Sequence, residues 1–510
     1  MTVGRVVSGS AGSIMLRVKN DAKVDIGDIL IIEEAGAKYY VKVVNISINS
    51  LLPGQFIDDI AGQKLEHDVD YKLFDDADRF YKTCEAKILK ILTDRFYPAR
   101  NIPGYFAKVR KARPEEFKFL ESYDGIAIGN LRLGTRVMSE INVKIPAHKL
   151  INHHILISAA TGKGKSNFAK VFIKGLLGVD NTSAVVFDPH NEYYGGKNIK
   201  GLRDIRSDRV LYFTPKPQNA PGSEQLIFHG EDLGAGDFME VLGTTGAQNE
   251  AMTLASRTYG KKWLTEFLIN QNSDEIYKDM KGKVQLITIV SLKRKLINAL
   301  NIDLKTGKGL IFTLEERSGT SIFDKIKRGV NDGKVIIIDT SLVGDLAERL
   351  ITTSIVRKLF KAYKVTKEEA PDKFSSLPEL MILFEEAPRV LGKSVLEHGS
   401  NVFARIAREG RKFKVGLCAI TQMPSLLPAE ILSQMNTKVI LGLPSPVDRQ
   451  AIINSSAQNI NDEASEIQIL DQGEAIITSP FITFPLPVKV YDFDKIVSDA
   501  PSKELNIGLS

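Results

Sequence analysis

The stretch from Ile151 to Lys170, INHHILISAATGKGKSNFAK, constrains this chain more than any other. The short apolar run from His154 to Ala159 has the character of a buried strand. A loop of small residues follows, and a helix is expected to open near Ser166. Between them, Ala159-Ala160-Thr161-Gly162-Lys163-Gly164-Lys165-Ser166 fits the phosphate-loop pattern G-x-x-x-x-G-K-[ST], with Ala159 in place of the leading glycine. The residue types follow from the chemistry. Gly162 and Gly164 permit the tight turn that aims backbone N–H groups at phosphate oxygens. The helix N-terminus behind them adds partial positive charge. In such a loop Lys165 reaches the outer phosphates, and the Ser166 hydroxyl is a ligand for Mg2+. Thr161, Lys163 and Asn167 complete the expected nucleotide cradle. The competing reading is a chance Gly/Lys-rich loop. The strand before it, the helix after it and the Lys-Ser pair favour the phosphate site.

A chain of 510 residues is expected to hold two to four domains. Its 43% hydrophobic and 25% charged residues suit a globular protein with a large core, needing no metal or disulfide staple. Its two cysteines, Cys84 and Cys418, suit a reducing compartment, so the expected location is cytoplasmic. Cys418 lies in an apolar run and reads as a small core residue. No long uncharged apolar run marks a signal peptide or a membrane span. The formal net charge of +6 is a small excess that gains weight if several copies line one channel for a polyanion.

Taken in order, residues 1 to about 72 read as β-structure, with β-rich runs separated by Gly, Asn and Asp turns. Phe74 to Phe96 is expected to be helical. Ala99 to Pro114 is proline-bearing and basic, with Arg100, Lys108, Arg110, Lys111 and Arg113, either a solvated loop or a nucleic-acid or partner contact. Ile126 to Val143 reads as a strand pair closing the N-terminal domain against the core. Thr182 to Asp188 is a buried strand ending in an acid. Asp188-Pro189-His190-Asn191-Glu192-Tyr193 follows at the end where α/β sheets place ligands, which makes His190 and Glu192 candidates for the site. A charged, mostly helical insertion is expected from about Asp232 to Gly329, then a buried strand at Lys334 to Asp339 and an amphipathic helix at Ala347 to Tyr363. The segments after Tyr193 and Leu391 are candidate pore loops, with Lys197, Lys200 and Lys393 as candidate contacts.

Leu380 to Val390, LMILFEEAPRV, is the second diagnostic stretch. An apolar strand ends in adjacent carboxylates, Glu385 and Glu386, and two acids there are costly to bury without cations. In a nucleotide hydrolase the first holds Mg2+ and the second polarises the attacking water. Asn401 to Lys412 then forms a basic helix. Arg405 and Arg408 share a face, and Arg411 lies just past Gly410, read as the helix terminator. Each arginine could form a surface ion pair or act as an arginine finger on a neighbouring subunit's γ-phosphate. The buried strand Val415 to Gln422 ends in Thr421-Gln422, a polar pair able to sense the γ-phosphate. The tail from Tyr491 to Ser510 is polar and expected to be extended.

Together these residues resemble the HerA-type DNA translocases and helicases, in the HerA/FtsK group of P-loop ATPases. The resemblance rests on IGNLRLGTRV, TGKGKSN, DPHNEY, GDFMEVLG with GAQNEA, GKVIIIDTS, FEEA, IAREGRKFKVGL with TQMPSLL, NTKVIL and GEAIIT, in that order. It implies an α/β fold, a RecA-like P-loop ATPase core with an N-terminal small β-barrel and a helical insertion. The implied division is a HAS-like barrel with helical extension over 1–145, core over 146–231, insertion over 232–330, core over 331–490, and a C-terminal brace over 491–510. The resemblance also implies ATP and Mg2+, a homohexamer around double-stranded DNA, a NurA-like nuclease partner in DNA end resection, and no membrane association. By motif, Lys165 and Ser166 bind nucleotide and Mg2+, Glu385 and Glu386 form the acidic pair with Glu386 as base, Arg411 is the finger with Arg408 second, and Gln422 is the sensor. Pro388 stands where the family commonly has His, and the barrel matches loosely. Two rivals stay open: a motor or scaffold of this type serving another effector, as in antiviral defence, and one that remodels protein.

Overall fold

The computed structural model describes residues 2–10, 12–68, 76–121, 125–196, 199–205, 207–220, 222–396 and 401–499. Near the N-terminus, β1 (Thr2–Gly9), β2 (Ser13–Val18), β3 (Ile29–Glu34), β4 (Ala37–Ser50), β5 (Phe80–Leu92) and β6 (Lys108–Lys111) close into an antiparallel barrel in the order β2-β1-β6-β3-β4-β5-β2. Alternate residues such as Leu16, Leu30, Ile32, Val41, Cys84 and Ala86 fill its interior. Within the expected helical stretch Phe74 to Phe96, residues 74 and 75 lie outside the described residues, Asp76–Arg79 is a single helical turn, and Phe80–Leu92 is a strand. Lysines interleave its apolar residues, yet Cys84, Ala86 and Ile88 fall on every second position, and β5 closes the barrel by pairing with both β2 and β4.

The core is one twelve-stranded sheet. Its larger strands are β7 (Ile126–Leu133), β8 (Arg136–Ile145), β9 (Ile155–Ala159), β10 (Thr182–Asp188), β11 (Val210–Thr214), β12 (Val335–Asp339), β13 (Glu379–Phe384), β14 (Val415–Thr421), β15 (Thr437–Leu441), β16 (Glu474–Thr478) and β17 (Leu486–Val490). They run in the order β11-β12-β10-β13-β14-β9-β15-β16-β17-β7-β8, with Glu224–Gln225 added beside β11. From β11 to β15 the pairs are parallel, and from β15 to β8 they are antiparallel. The parallel strands are apolar throughout because both faces are covered. One face packs on the helix Lys165–Leu177, the other on the helix Asp345–Glu369 and the insertion. The hairpin β7–β8, expected to close the N-terminal domain, is hydrogen-bonded into this sheet through β17.

The insertion is built on the helices Gly246–Tyr259, Ser273–Asp279 and Leu286–Leu300, with a small sheet of two-residue strands that pure helical patterning did not signal. In the tail, expected to be extended, Phe493–Asp499 is a helix anchored by buried Phe493; residues 500–510 lie outside the described residues. Among the described residues no helix is long and apolar enough to cross a membrane.

Candidate functional site: a phosphate loop facing an acidic strand end

Ala159 is the last residue of β9 and is fully buried, so the residue in the leading position of the motif lies within the sheet, where a Cβ is accommodated. The loop beyond it is held by backbone bonds from Ala160 N to Gly442 O at 3.0 Å and from Lys163 N to Ala160 O at 3.3 Å. Gly162 and Gly164 have φ of +78° and +100°, the left-handed region that other residues enter at a cost. The helix Lys165–Leu177 starts directly after Gly164, and no side chain caps it. The N–H groups of its first turn have no partners within the helix and face the loop, a ready anion site.

Strand order decides what meets this loop. β13 carries the acid pair and is separated from β9 by β14 alone, so three strand ends converge. Lys165 Nζ lies 3.8 Å from Glu386 Oε1. Thr161 Oγ1 donates to Gln422 Oε1 at 2.8 Å, joining the loop to the end of β14. Glu386 has φ of +51°, a strained conformation for a side-chain-bearing residue and one that such sites tolerate for function. The Glu385 side chain is 1% exposed; Oε1 accepts the Tyr193 hydroxyl at 2.6 Å, and Oε2 lies 3.5 Å from His190 Nε2. Asp188, at the end of β10, accepts the backbone N–H groups of His190, Glu192 and Tyr193. Burial pushes the Asp188 carboxyl up to about 6; the neighbouring carboxylates of Glu385 and Asp339 add to this, and the N–H bonds oppose it.

Not every expected contact residue points at the loop's open side. The Lys163 ammonium donates to Leu470 O at 2.7 Å and its carbonyl accepts Gly473 N at 3.1 Å, so this residue fastens the loop to the turn before β16. The Asn167 side chain bridges Tyr491 O at 2.8 Å and Phe493 N at 2.9 Å. Ser166 is half-buried in the first turn of the helix. Beside Gly164 and Asn167 a cavity of about 690 Å³ runs toward Lys489, Tyr491 and Lys495, large enough for a nucleoside.

The arginines lie elsewhere. Arg411 is exposed and precedes β14, while Thr421 ends it. Six strand steps of about 3.3 Å put it about 20 Å from this chain's own phosphate loop. Gly410 has φ of −55° and continues the chain into a 3-10 turn; a Cβ there would lie 2.4 Å from Val415 O, so close approach explains this glycine. Arg408 pairs with Glu430 at 2.8 Å, and Arg405 with Glu240 of the insertion at 3.1 Å. Of the candidate pore lysines, Lys200 donates to Asp494 O at 3.0 Å, Lys393 to Ser425 O at 2.9 Å, and Lys197 lies outside the described residues.

Two groups at the site escaped the sequence reading. Asp339 ends β12 and accepts Thr214 Oγ1 at 2.7 Å and Ser341 Oγ at 2.6 Å. An acid closing the run KVIIID was the available signal, the same as at Asp188. Tyr193 was visible only as the last letter of a motif.

A parallel sheet with a phosphate loop on one strand, an acid pair two strands away and a polar residue between them defines a P-loop ATPase with a RecA-like core. The protein is accordingly an enzyme of the P-loop ATPase class. Residues 126–359 match the family described as helicase HerA, central domain. The chain is 28% identical over 424 residues to the DNA double-strand break repair helicase HerA of Pyrococcus furiosus, covering 76% of this chain and 73% of the relative. It is 27% identical over 513 residues to the protein of the same description from Saccharolobus solfataricus, covering 98% and 94%. Among solved structures, the plasmid coupling protein TrwB in complex with a GTP analogue is 12% identical, with a TM-score of 0.49, over 75% of this chain and 93% of that one.

Proposed function

We propose that this protein is an ATP-driven duplex-DNA translocase or helicase, assembled as a homohexamer and working in DNA repair with a NurA-like nuclease at DNA ends. The observation that carries the ATPase centre is the convergence of Lys165, Glu386, Thr161 and Gln422 at adjoining strand ends, with contacts of 3.8 and 2.8 Å. The relatives' description as double-strand break repair helicases supports the DNA substrate and the pathway.

The residues fit Mg2+ by donor chemistry: the Ser166 hydroxyl and the Glu385 carboxylate are hard oxygens, in a corner with an excess of buried acid. Bound there, Mg2+ would neutralise charge on the phosphates and orient them. The N–H groups of the loop and Lys165 hold the β- and γ-phosphates, and the cavity beside Asn167 and Tyr491 takes the nucleoside. Glu386 orients and deprotonates the attacking water. Gln422, bonded to Thr161, reports the state of the γ-phosphate to β14. Arg411 is too far from its own loop to act there, so it serves a neighbour's site, and the ring is the catalytic unit. DNA phosphates are gripped without reading base sequence.

The test is the ATPase rate of the full chain with and without linear duplex DNA, alongside Arg411→Ala. Strong stimulation by DNA, lost in the variant and weakened steeply by salt, is expected. Steady turnover indifferent to DNA would overturn the DNA-motor reading in favour of another effector.

A further inference from the structure

We propose that Tyr193 is a positioning residue for the metal-side carboxylate: its hydroxyl bond to Glu385 Oε1 fixes the rotation of that carboxylate and leaves Oε2 as the oxygen available to Mg2+. The inference rests on the reading of this corner as an Mg2+-ATP site.

The argument begins with satisfaction of a buried carboxylate. A group as deep as Glu385 needs donors, or it is free to rotate among poor geometries. Among the described residues Tyr193 supplies the one close donor, at 2.6 Å. His190 Nε2, at 3.5 Å from Oε2, is beyond the usual bonding range. One oxygen is therefore held and the other left open. The open one faces a side chain that is itself half exposed.

The donor is held more firmly than the acceptor. Tyr193 has no exposed surface, and its ring sits in the core cluster beneath the sheet. Its N–H donates to Asp188 Oδ2 at 2.9 Å, and its carbonyl accepts Leu202 N at 2.9 Å. Asp188 ends β10, which pairs directly with β13 through Phe187 and Phe384. A rigid path thus runs from one strand end, through Asp188 and the Tyr193 backbone, to the carboxylate on the next strand. A phenol is protonated at neutral pH, so in this bond Tyr193 is the donor and the carboxylate the acceptor. Packing requires the ring, which phenylalanine supplies equally; only the bond to Glu385 requires the oxygen.

The experiment is an equilibrium titration with Mg2+ of the binding of a fluorescent ATP analogue to the full chain, so that turnover is not the readout. In Tyr193→Phe the Mg2+ midpoint should rise about ten-fold, the usual effect of removing a partner that orients a ligand. Binding in EDTA should stay within about two-fold of the unsubstituted protein. In a Glu385→Ala background the same change should add almost nothing. Asp188→Asn loosens the loop carrying Tyr193 but also removes a charge that Glu385 feels, so it is read against Asp339→Asn, which removes a neighbouring charge and has no bond to Tyr193; the larger shift is expected for Asp188→Asn, and this pair carries the test if Tyr193→Phe does not fold. An unshifted midpoint in a folded Tyr193→Phe protein, an Asp188→Asn shift no larger than that of Asp339→Asn, or a full shift persisting in Glu385→Ala would overturn the role of Tyr193. Absence of any Mg2+ dependence in the unsubstituted protein would instead remove the Mg2+-ATP reading itself.

Discussion

Two clusters of buried charge lie in this chain, and they are built on opposite principles. Where the barrel meets the core, Lys42 of β4 contacts Glu466 at 2.6 Å and Glu463 at 3.6 Å, and Arg132 of β7 contacts Glu466 at 2.5 Å. Two cations and two anions neutralise each other out of water. Burial alone would lower the pKa of Lys42, but the two glutamates outweigh it and hold it up. At the phosphate loop the buried groups are nearly all acids. Asp188 and Asp339 are satisfied by N–H and O–H donors, whereas Glu385 keeps one oxygen without a close donor. A charge-balanced cluster, closed in that each ion has an oppositely charged neighbour, joins two parts of a protein. An open one of a single sign calls for a cation from outside, which is how a structural ion network and a catalytic centre differ.

The largest effect is expected where the open cluster meets substrate. Lys165→Ala should lower kcat by about a hundred- to a thousand-fold, since it removes a fixed positive charge from the phosphates. Nucleotide binding should fall with it, read by ATPase assay and equilibrium binding. In the closed cluster, Lys42→Met should leave Glu463 and Glu466 undercompensated and cost about 3–5 kcal/mol of stability, measured by denaturant unfolding. A loss below about 1 kcal/mol would erase the distinction between the clusters.

A third kind of buried polar group sharpens the contrast. His154, just before β9 at the end of the strands opposite the phosphate loop, accepts Leu417 N at Nδ1 at 3.0 Å and must stay neutral; burial lowers its pKa to about 4. The unfolded chain takes up this proton near pH 6.5, and the native state only near 4. Its contribution is therefore complete above about pH 6.5 and is lost as pH falls toward 4, by about 2 kcal/mol at pH 5. Unfolding midpoints at pH 7 and 5 should differ less in His154→Asn. The smallest effect belongs to Arg408→Ala, whose pair with Glu430 is exposed and screened by solvent, so that stability and ATPase rate should both stay near normal, unlike the ATPase rate of Arg411→Ala.

What the sequence made legible was local. The phosphate loop declared itself because turn glycines, Lys165 and Ser166 must stand at fixed spacing, and Glu385-Glu386 because adjacent acids at an apolar strand end are expensive. What stayed hidden depends on contacts far apart in the chain. Lys163 meets Leu470 across 307 positions, and no local pattern distinguishes a lysine facing phosphate from one facing a carbonyl. Tyr193 gains its meaning only when β10 lies beside β13. Phe80–Leu92 read as helical because lysines blur its alternation, which barrel closure, rather than local preference, resolves.

The most direct test of the account is ATP binding and turnover by Glu386→Gln in the presence of linear duplex DNA. The account predicts a protein that binds ATP normally and hydrolyses it about a hundred-fold or more slowly. Turnover near the unsubstituted rate would show that the acid pair facing Lys165 is not the catalytic centre.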